Sequence, residues 1–205
     1  MKKFITVIFM FILGLIQVNA EWLDFEKGLG ETVEFKEVFK NSEILDYSII
    51  IPGVSMEDKC ENGNFKIFKL PGYNFIDKEE GLPKVPVISE LIAIPNCENV
   101  TIEVTPLSHI EYNGYVIYPQ EKNVNYDGMF VREFYEEWQS KYSSLDDYYP
   151  SYNYEVSYPA VRGQRMADLR LYPLQFFYDS NPENCQIRIC TEYRVTFHFE
   201  NASSG

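Results

Sequence analysis

Covalent chemistry in this chain would fall to its cysteines and histidines, and both are scarce: Cys60, Cys97, Cys185 and Cys190, with His109 and His198. A thiol nucleophile needs an imidazole base within hydrogen-bond reach. Cys190 and His198 fall on one face of one strand-like pattern but eight residues apart, roughly 26 Å along an extended chain, so they form no dyad within it. No Cys-x-x-Cys pair offers a zinc or redox site. A Gly-x-Ser-x-Gly elbow, a phosphate loop and a His-Glu-x-x-His helix are equally missing from the sequence. The acidic clusters at 77–80, Glu136-Glu137 and Asp146-Asp147 lack the alternating spacing of a calcium loop and read as a solvated acidic face. Carboxylate pairs for glycoside hydrolysis are set by separation in space, and no pair is singled out by its spacing. The residue chemistry points away from an enzyme and implies neither metal nor cofactor.

The elements that would position any site are strands. Residues 186–199 alternate cleanly: Ile187, Ile189, Tyr193, Val195, Phe197 and Phe199 share one face with Thr191, and Arg188, Glu192, Arg194, Thr196 and His198 share the other. One buried and one wet face is the pattern of an antiparallel sheet on a sandwich surface. Further strands are expected at 32–38, 47–51, 65–70, 87–94, 100–105, 115–118 and 168–178. Pro52-Gly53, Asn62-Gly63, Pro71-Gly72, Pro95-Asn96, Asn113-Gly114 and Asn181-Pro182 punctuate them. The expected fold is all-β, an antiparallel, jelly-roll-like β-sandwich. One stretch departs from it. Phe130, Phe134, Trp138 and Tyr142 recur every four positions among charged residues, which predicts a short amphipathic helix over 130–142. It lies in a long excursion between two strands, 119–160, of the kind that is usually functional or mobile.

The first twenty residues read as a secretory signal: Met1-Lys2-Lys3, an uncharged apolar run, then Val18 and Ala20 before a cleavage point after Ala20. The run is short for a bilayer, which asks for about 20 residues, so the mature chain is expected outside the cytoplasm with no membrane segment. Removing the signal takes two of the 18 basic residues and none of the 31 acidic ones, leaving a formal charge of −15. Such a surface repels nucleic acid and anionic lipid. In an exported chain an even count of cysteines permits disulfides in three pairings. Cys185 and Cys190, five apart, would point to opposite faces of one strand, and Cys60 with Cys97 is the candidate pair, against the alternative of four free thiols.

Two segments carry more than composition does. The first is Gly81-Leu82-Pro83-Lys84-Val85-Pro86, leading into a strand. The second is Val161-Arg162-Gly163-Gln164-Arg165 followed by Leu169-Arg170-Leu171-Tyr172-Pro173-Leu174-Gln175-Phe176 and the strand at 187–199. In this order and spacing the chain resembles the propeptide domain of gingipain-type cysteine peptidases over residues 81–199. The resemblance implies a domain at 21–200, with 201–205 beginning a linker. It also implies one partner, a cognate cysteine peptidase domain in the same precursor or a separate chain. The domain would help that peptidase fold and keep it latent. In the family a loop after a strand such as 115–119 enters the peptidase's active-site cleft, and here that loop would begin at Gln120. Members serving arginine- or lysine-specific peptidases carry a basic residue in it. An ungapped count brings Tyr126 near that place, with Lys122 four residues earlier and Arg132 six later, so all three are candidates. Gly163 is expected to fix a turn, and Arg162 and Arg165 either satisfy internal carbonyls or contact the partner. A rival account is a stand-alone secreted binding or adhesion module, with Tyr148, Tyr149, Tyr152 and Tyr154 as a platform for protein or carbohydrate.

Overall fold

The computed structural model describes residues 20–27, 30–76 and 79–202. The expected signal up to residue 19, Asp77 and Lys78 of the first acidic cluster and the last three linker residues lie outside these. In chain order the strands begin with β1 (Glu21–Asp24), β2 (Glu34–Lys40), β3 (Ile44–Ile50), β4 (Gly53–Cys60), β5 (Asn64–Lys69), β6 (Asn74–Phe75), β7 (Pro86–Ala93) and β8 (Asn99–Asn113). A hairpin of β9 (Lys122–Tyr126) and β10 (Met129–Glu133) precedes helix α1 (Trp138–Ser143). Then come β11 (Tyr154–Ser157), β12 (Ala160–Val161), β13 (Gln164–Leu171), β14 (Leu174–Phe177) and β15 (Gln186–Glu200).

The alternation of β15 places it at the centre. Antiparallel β8 runs along one flank for the full length of β15. On the other flank β14 pairs with its first residues and β3 with the rest, and β2 closes that side as an edge. Ile187, Ile189, Tyr193, Val195 and Phe197 have no exposed surface, and Phe199 nearly none. Between Cys190 and Glu192 the ladder with β8 shifts register, so Cys190 and Thr191 are both buried. A second antiparallel sheet runs β11-β13-β7-β6, and a third, of three strands, runs β1-β4-β5. In the second sheet Leu171 stands opposite Ile88 and Ala167 opposite Ile92. Those residues join Leu169, Val54, Phe68 and the inward face of β15 in one apolar core. This is the expected antiparallel sandwich.

Several details differ from the sequence-based expectation. The strand expected at 100–105 runs to Asn113, passing straight through Pro106. An edge strand tolerates proline because the missing N–H faces no partner, and β8 pairs with β15 alone among the described strands. The stretch 168–178 is two strands, because Pro173 cannot donate to a ladder and the chain turns between β13 and β14. Residues 115–118 contribute a single isolated bridge, at Ile117, instead of a strand. The helix over 130–142 is replaced by β10 followed by a helix of only six residues. Asp127 and Gly128, with φ of +50° and +90°, close a two-residue turn in which Tyr126 faces Met129, and this type I′ geometry folds the chain back as a hairpin. The period-four stripe is real from Phe134 onward, where Phe134 and Tyr142 are buried, but Phe130 belongs to a strand.

All four cysteines are free thiols, which corrects the Cys60–Cys97 pairing. Cys60 ends β4 and its thiol reaches Asn64 Oδ1 at 3.6 Å. Cys97 lies between β7 and β8, where Arg165 takes up its carbonyl. No helix among the described residues is long and apolar enough to cross a membrane.

Candidate functional site

The seat of the hairpin comes first. The backbone of residues 81–86 runs beside residues 118–120 and is pinned to them at each step. Gly81 N–H donates to the Gln120 carbonyl at 2.8 Å, Gln120 N–H to that of Leu82 at 2.7 Å, and Lys84 N–H to that of Tyr118 at 2.9 Å. Gly81 has φ of +82°, and a Cβ there would stand 2.6 Å from the ring of Tyr135, so both backbone and space call for glycine. The next residues lock the first leg of the hairpin: Lys84 Nζ pairs with Glu121 Oε2 at 2.8 Å, and Asn123 N–H donates to Glu80 Oε1 at 2.7 Å. The proline-rich segment is therefore the footing that aims the excursion.

Aromatic residues hold the other leg. Phe65 in β5 meets the rings of Tyr118, Phe134 and Trp138 at centroid distances of 5.7, 5.8 and 5.0 Å. Tyr142, fully buried, packs on Trp138 and Phe176 and donates its hydroxyl hydrogen to the Ile117 carbonyl at 2.8 Å. Ring pairs of this kind contribute about 0.5–1.5 kcal/mol each beyond the area they bury. Tyr118 donates to Glu61 Oε2 at 2.9 Å. Burial, first, and that carboxylate raise the Tyr118 pKa, while the hydrogen bond lowers Glu61 below its ordinary 4.5.

From this base β9 and β10 project as a two-stranded ribbon that pairs with no other strand among the described residues. Its five cross-strand pairs run from Lys122 opposite Glu133 at the foot to Tyr126 opposite Met129 at the tip. Side chains alternate, so Lys122, Val124, Tyr126, Met129, Val131 and Glu133 share one face, and Asn123, Asn125, Phe130 and Arg132 the other. The ribbon is apolar and open to solvent: Tyr126 is 54% exposed, Met129 66%, Phe130 76% and Val131 38%. Tyr126 lies along its face and donates to Glu133 Oε1 at 2.5 Å, and Lys122 Nζ stands 3.3 Å from the other oxygen. The tyrosine hydrogen bond, then the lysine, lowers the Glu133 pKa, and the same bond raises that of Tyr126.

The three loop candidates are thus on one hairpin, in different roles. Lys122 is ion-paired at the foot, Tyr126 closes the tip, and Arg132 stands exposed on the opposite face beside the foot. The two arginines are elsewhere, at the start of β13, whereas the footing packs on Phe176 beyond its far end. Arg162 and Gly163, with φ of +51° and +83°, form the two-residue turn joining β12 to β13, and Arg162 is exposed. Arg165 donates to the Cys97 carbonyl at 2.5 Å and lies over the Tyr158 ring at 5.9 Å, so it serves the domain's own packing. Met129, Phe130 and Val131 escaped the sequence reading as surface residues. Asp127-Gly128 between apolar runs was the available signal.

Tyr148, Tyr149, Tyr152 and Tyr154 do not form an open platform. Tyr148 donates to Gln186 at 2.7 Å under the guanidinium of Arg188, and Tyr149 exchanges backbone hydrogen bonds with Phe176. Tyr152 packs on Tyr172, and Tyr154 lies in β11, half-buried against the core. Across the β8–β15 ladder His109 stands opposite Cys190, yet the imidazole turns to Glu111 at 3.8 Å and the thiol donates to the Glu192 carbonyl at 3.2 Å. Burial raises the Cys190 pKa, the wrong direction for a nucleophile.

Among the solved structures that share this fold are these two. One, reported as structural insight into zymogenic latency of gingipain K from Porphyromonas gingivalis, is 20% identical with a TM-score of 0.64, covering 87% of this chain and 98% of that one. The other, a complex of Porphyromonas gingivalis RgpB pro- and mature domains, is 18% identical with a TM-score of 0.64, covering 83% of this chain and 88% of that one. No curated protein matches the sequence. The family model Propeptide_C25 matches residues 44–205, and the chain belongs to that family, the propeptide domains of gingipain-type cysteine peptidases.

Proposed function

We propose that this propeptide keeps a secreted gingipain-type cysteine peptidase latent by laying the β9–β10 hairpin in its active-site cleft, and that it assists the folding of that peptidase. The observation that carries this reading is the hairpin itself. Of ten exposed large apolar side chains among the described residues, four stand on these ten positions, on a ribbon braced by the domain and paired with nothing else. Apolar surface gathered on a rigid projection marks an interaction site, and steric filling of a cleft asks for no chemistry from the occupant. The hairpin also resists being a substrate. Its legs are already paired with each other, and its turn has positive φ at both residues, so the extended conformation that a peptidase reads requires the ribbon to open. The zymogen latency of gingipain K and the pro- and mature-domain complex of RgpB support a latency role and a peptidase partner here.

Export by a signal cleaved after Ala20, a working domain of 21–200 and a peptidase partner in the same precursor or a separate chain go with this reading. The exposed Arg162 turn is a second contact candidate. To test it, residues 120–132 are replaced by a glycine/serine linker. The variant is expected to keep the β-sheet circular dichroism and cooperative unfolding of the parent, with a urea midpoint lowered by the loss of the Glu121 contact with Lys84, and to lose most of its inhibition of the peptidase. Unchanged inhibition would remove the hairpin from the mechanism.

A further inference from the structure

The tip of the hairpin carries information about the partner. Its last rung is Tyr126 opposite Met129, the next is Asn125 opposite Phe130, and the turn between adds Asp127. No cation stands on residues 123–131. Lys122 stands on the rung at the foot and Arg132 on the next, with backbones roughly 14 and 10 Å back from the tip at the rise of a strand. Lys122 is moreover engaged with Glu133. Glu133 also accepts from the Tyr126 hydroxyl, so a pocket that receives the tip meets an aromatic ring with Asp127 beside it and the paired charges of Lys122 and Glu133 at its hydroxyl.

We infer that Tyr126 is the specificity-reading side chain of this propeptide, and that its partner is a cysteine peptidase whose primary pocket takes an aromatic residue. The inference rests on the hairpin occupying the cleft. A pocket built for lysine or arginine needs an acid at its base. Filled by Tyr126 it would bury that acid without a counter-charge, a strong penalty, and Asp127 at the mouth would add like-charge repulsion. An apolar pocket has the opposite balance, because a tyrosine ring brings a large rigid contact area with little rotamer entropy to lose. Tyr126 is the better placed of the two exposed rings. It borders the turn, whereas Phe130 lies one rung back on the other face. Glu133 holds its hydroxyl in the free domain, which keeps the ring ordered along the ribbon, still more than half exposed.

The test uses the mature domain of an arginine-specific gingipain and four forms of the chain: the parent, Tyr126→Arg, Phe130→Arg, and a chimera carrying that gingipain's own propeptide loop in place of 122–133. Inhibition constants are read for each, with thermal midpoints to confirm folding. The expected result is weak inhibition by the parent and by Phe130→Arg, and at least a tenfold gain for Tyr126→Arg and for the chimera. A gain for the chimera without one for Tyr126→Arg overturns the role of Tyr126 and leaves the hairpin mechanism standing. The inference is also overturned if the parent inhibits as tightly as Tyr126→Arg, since the pocket would then be indifferent to the tip. Failure of the chimera as well removes the docking reading itself, and this inference falls with it.

Discussion

Strand β15 and the β9–β10 hairpin obey the same local rules and serve opposite ends. Both alternate, and both are antiparallel. The first is paired along both flanks and buries one whole face in the core. Among the described strands the second is paired only with itself, and it turns large apolar side chains outward. The difference lies in what each needs in order to stand. β15 is held by burial, so its side chains are matched to one interior. The hairpin is held by its turn and by the ring cluster and hydrogen bonds at its foot, which frees its other positions for a partner.

The sharpest way to break this comparison is truncation of one phenylalanine in each region. Phe197→Ala, at a site with no exposed surface, is expected to cost about 3–5 kcal/mol in urea unfolding. Phe130→Ala is expected to stay within about 0.5 kcal/mol of the parent. Similar costs would mean that Phe130 packs against the domain in solution. Next in size is Gly81→Ala. With φ of +82° and a ring 2.6 Å from the new Cβ, it should cost about 2 kcal/mol and loosen the hairpin from its seat, seen as faster amide exchange at Gln120 and Asn123. Gly128→Ala, at φ of +90°, should remove about 1 kcal/mol from the hairpin alone. Cross-strand nuclear Overhauser contacts between Tyr126 and Met129 would weaken while the global urea midpoint holds.

The smallest effect is acid sensitivity at the footing. Glu61 is lowered from its ordinary 4.5 by the Tyr118 hydroxyl. A lowered folded-state pKa contributes stability that is present above the ordinary value and fades as pH falls through the folded one. The carboxylate is partly exposed, so the contribution is small, below about 1 kcal/mol. Glu61→Gln should flatten this part of the acid limb in a stability profile between pH 3 and 6, and an unchanged profile would detach Glu61 from the footing.

The contrast also explains what could be read before the fold was known. The face of β15 was legible because burial on one side enforces period two over its length, and the Arg162-Gly163 turn because glycine takes a positive φ easily, whereas the Gly81 segment stood out through the family resemblance. The hairpin was not. Phe130, Phe134, Trp138 and Tyr142 mimic a helix stripe, and only the last three share an environment, because the Asp127-Gly128 turn takes Phe130 into a strand. The proposal of a loop from Gln120 and the candidacy of Tyr126 came from the family resemblance. Contacts between distant segments, such as Phe65 with Trp138 or Arg165 with Cys97, leave no spacing signal. That is why Arg165 was left open and Cys60–Cys97 was paired wrongly.

The central claim is that the hairpin, and no other surface, is the part that enters the peptidase. Amide hydrogen exchange of the chain alone and in complex with the mature peptidase domain it inhibits tests this most directly. The account predicts strong slowing across residues 122–133, centred on Tyr126, with the open edges of β2 and β8 unchanged. Slowing confined to those edges or to the Arg162 turn, with the hairpin exchanging as in the free chain, would contradict it.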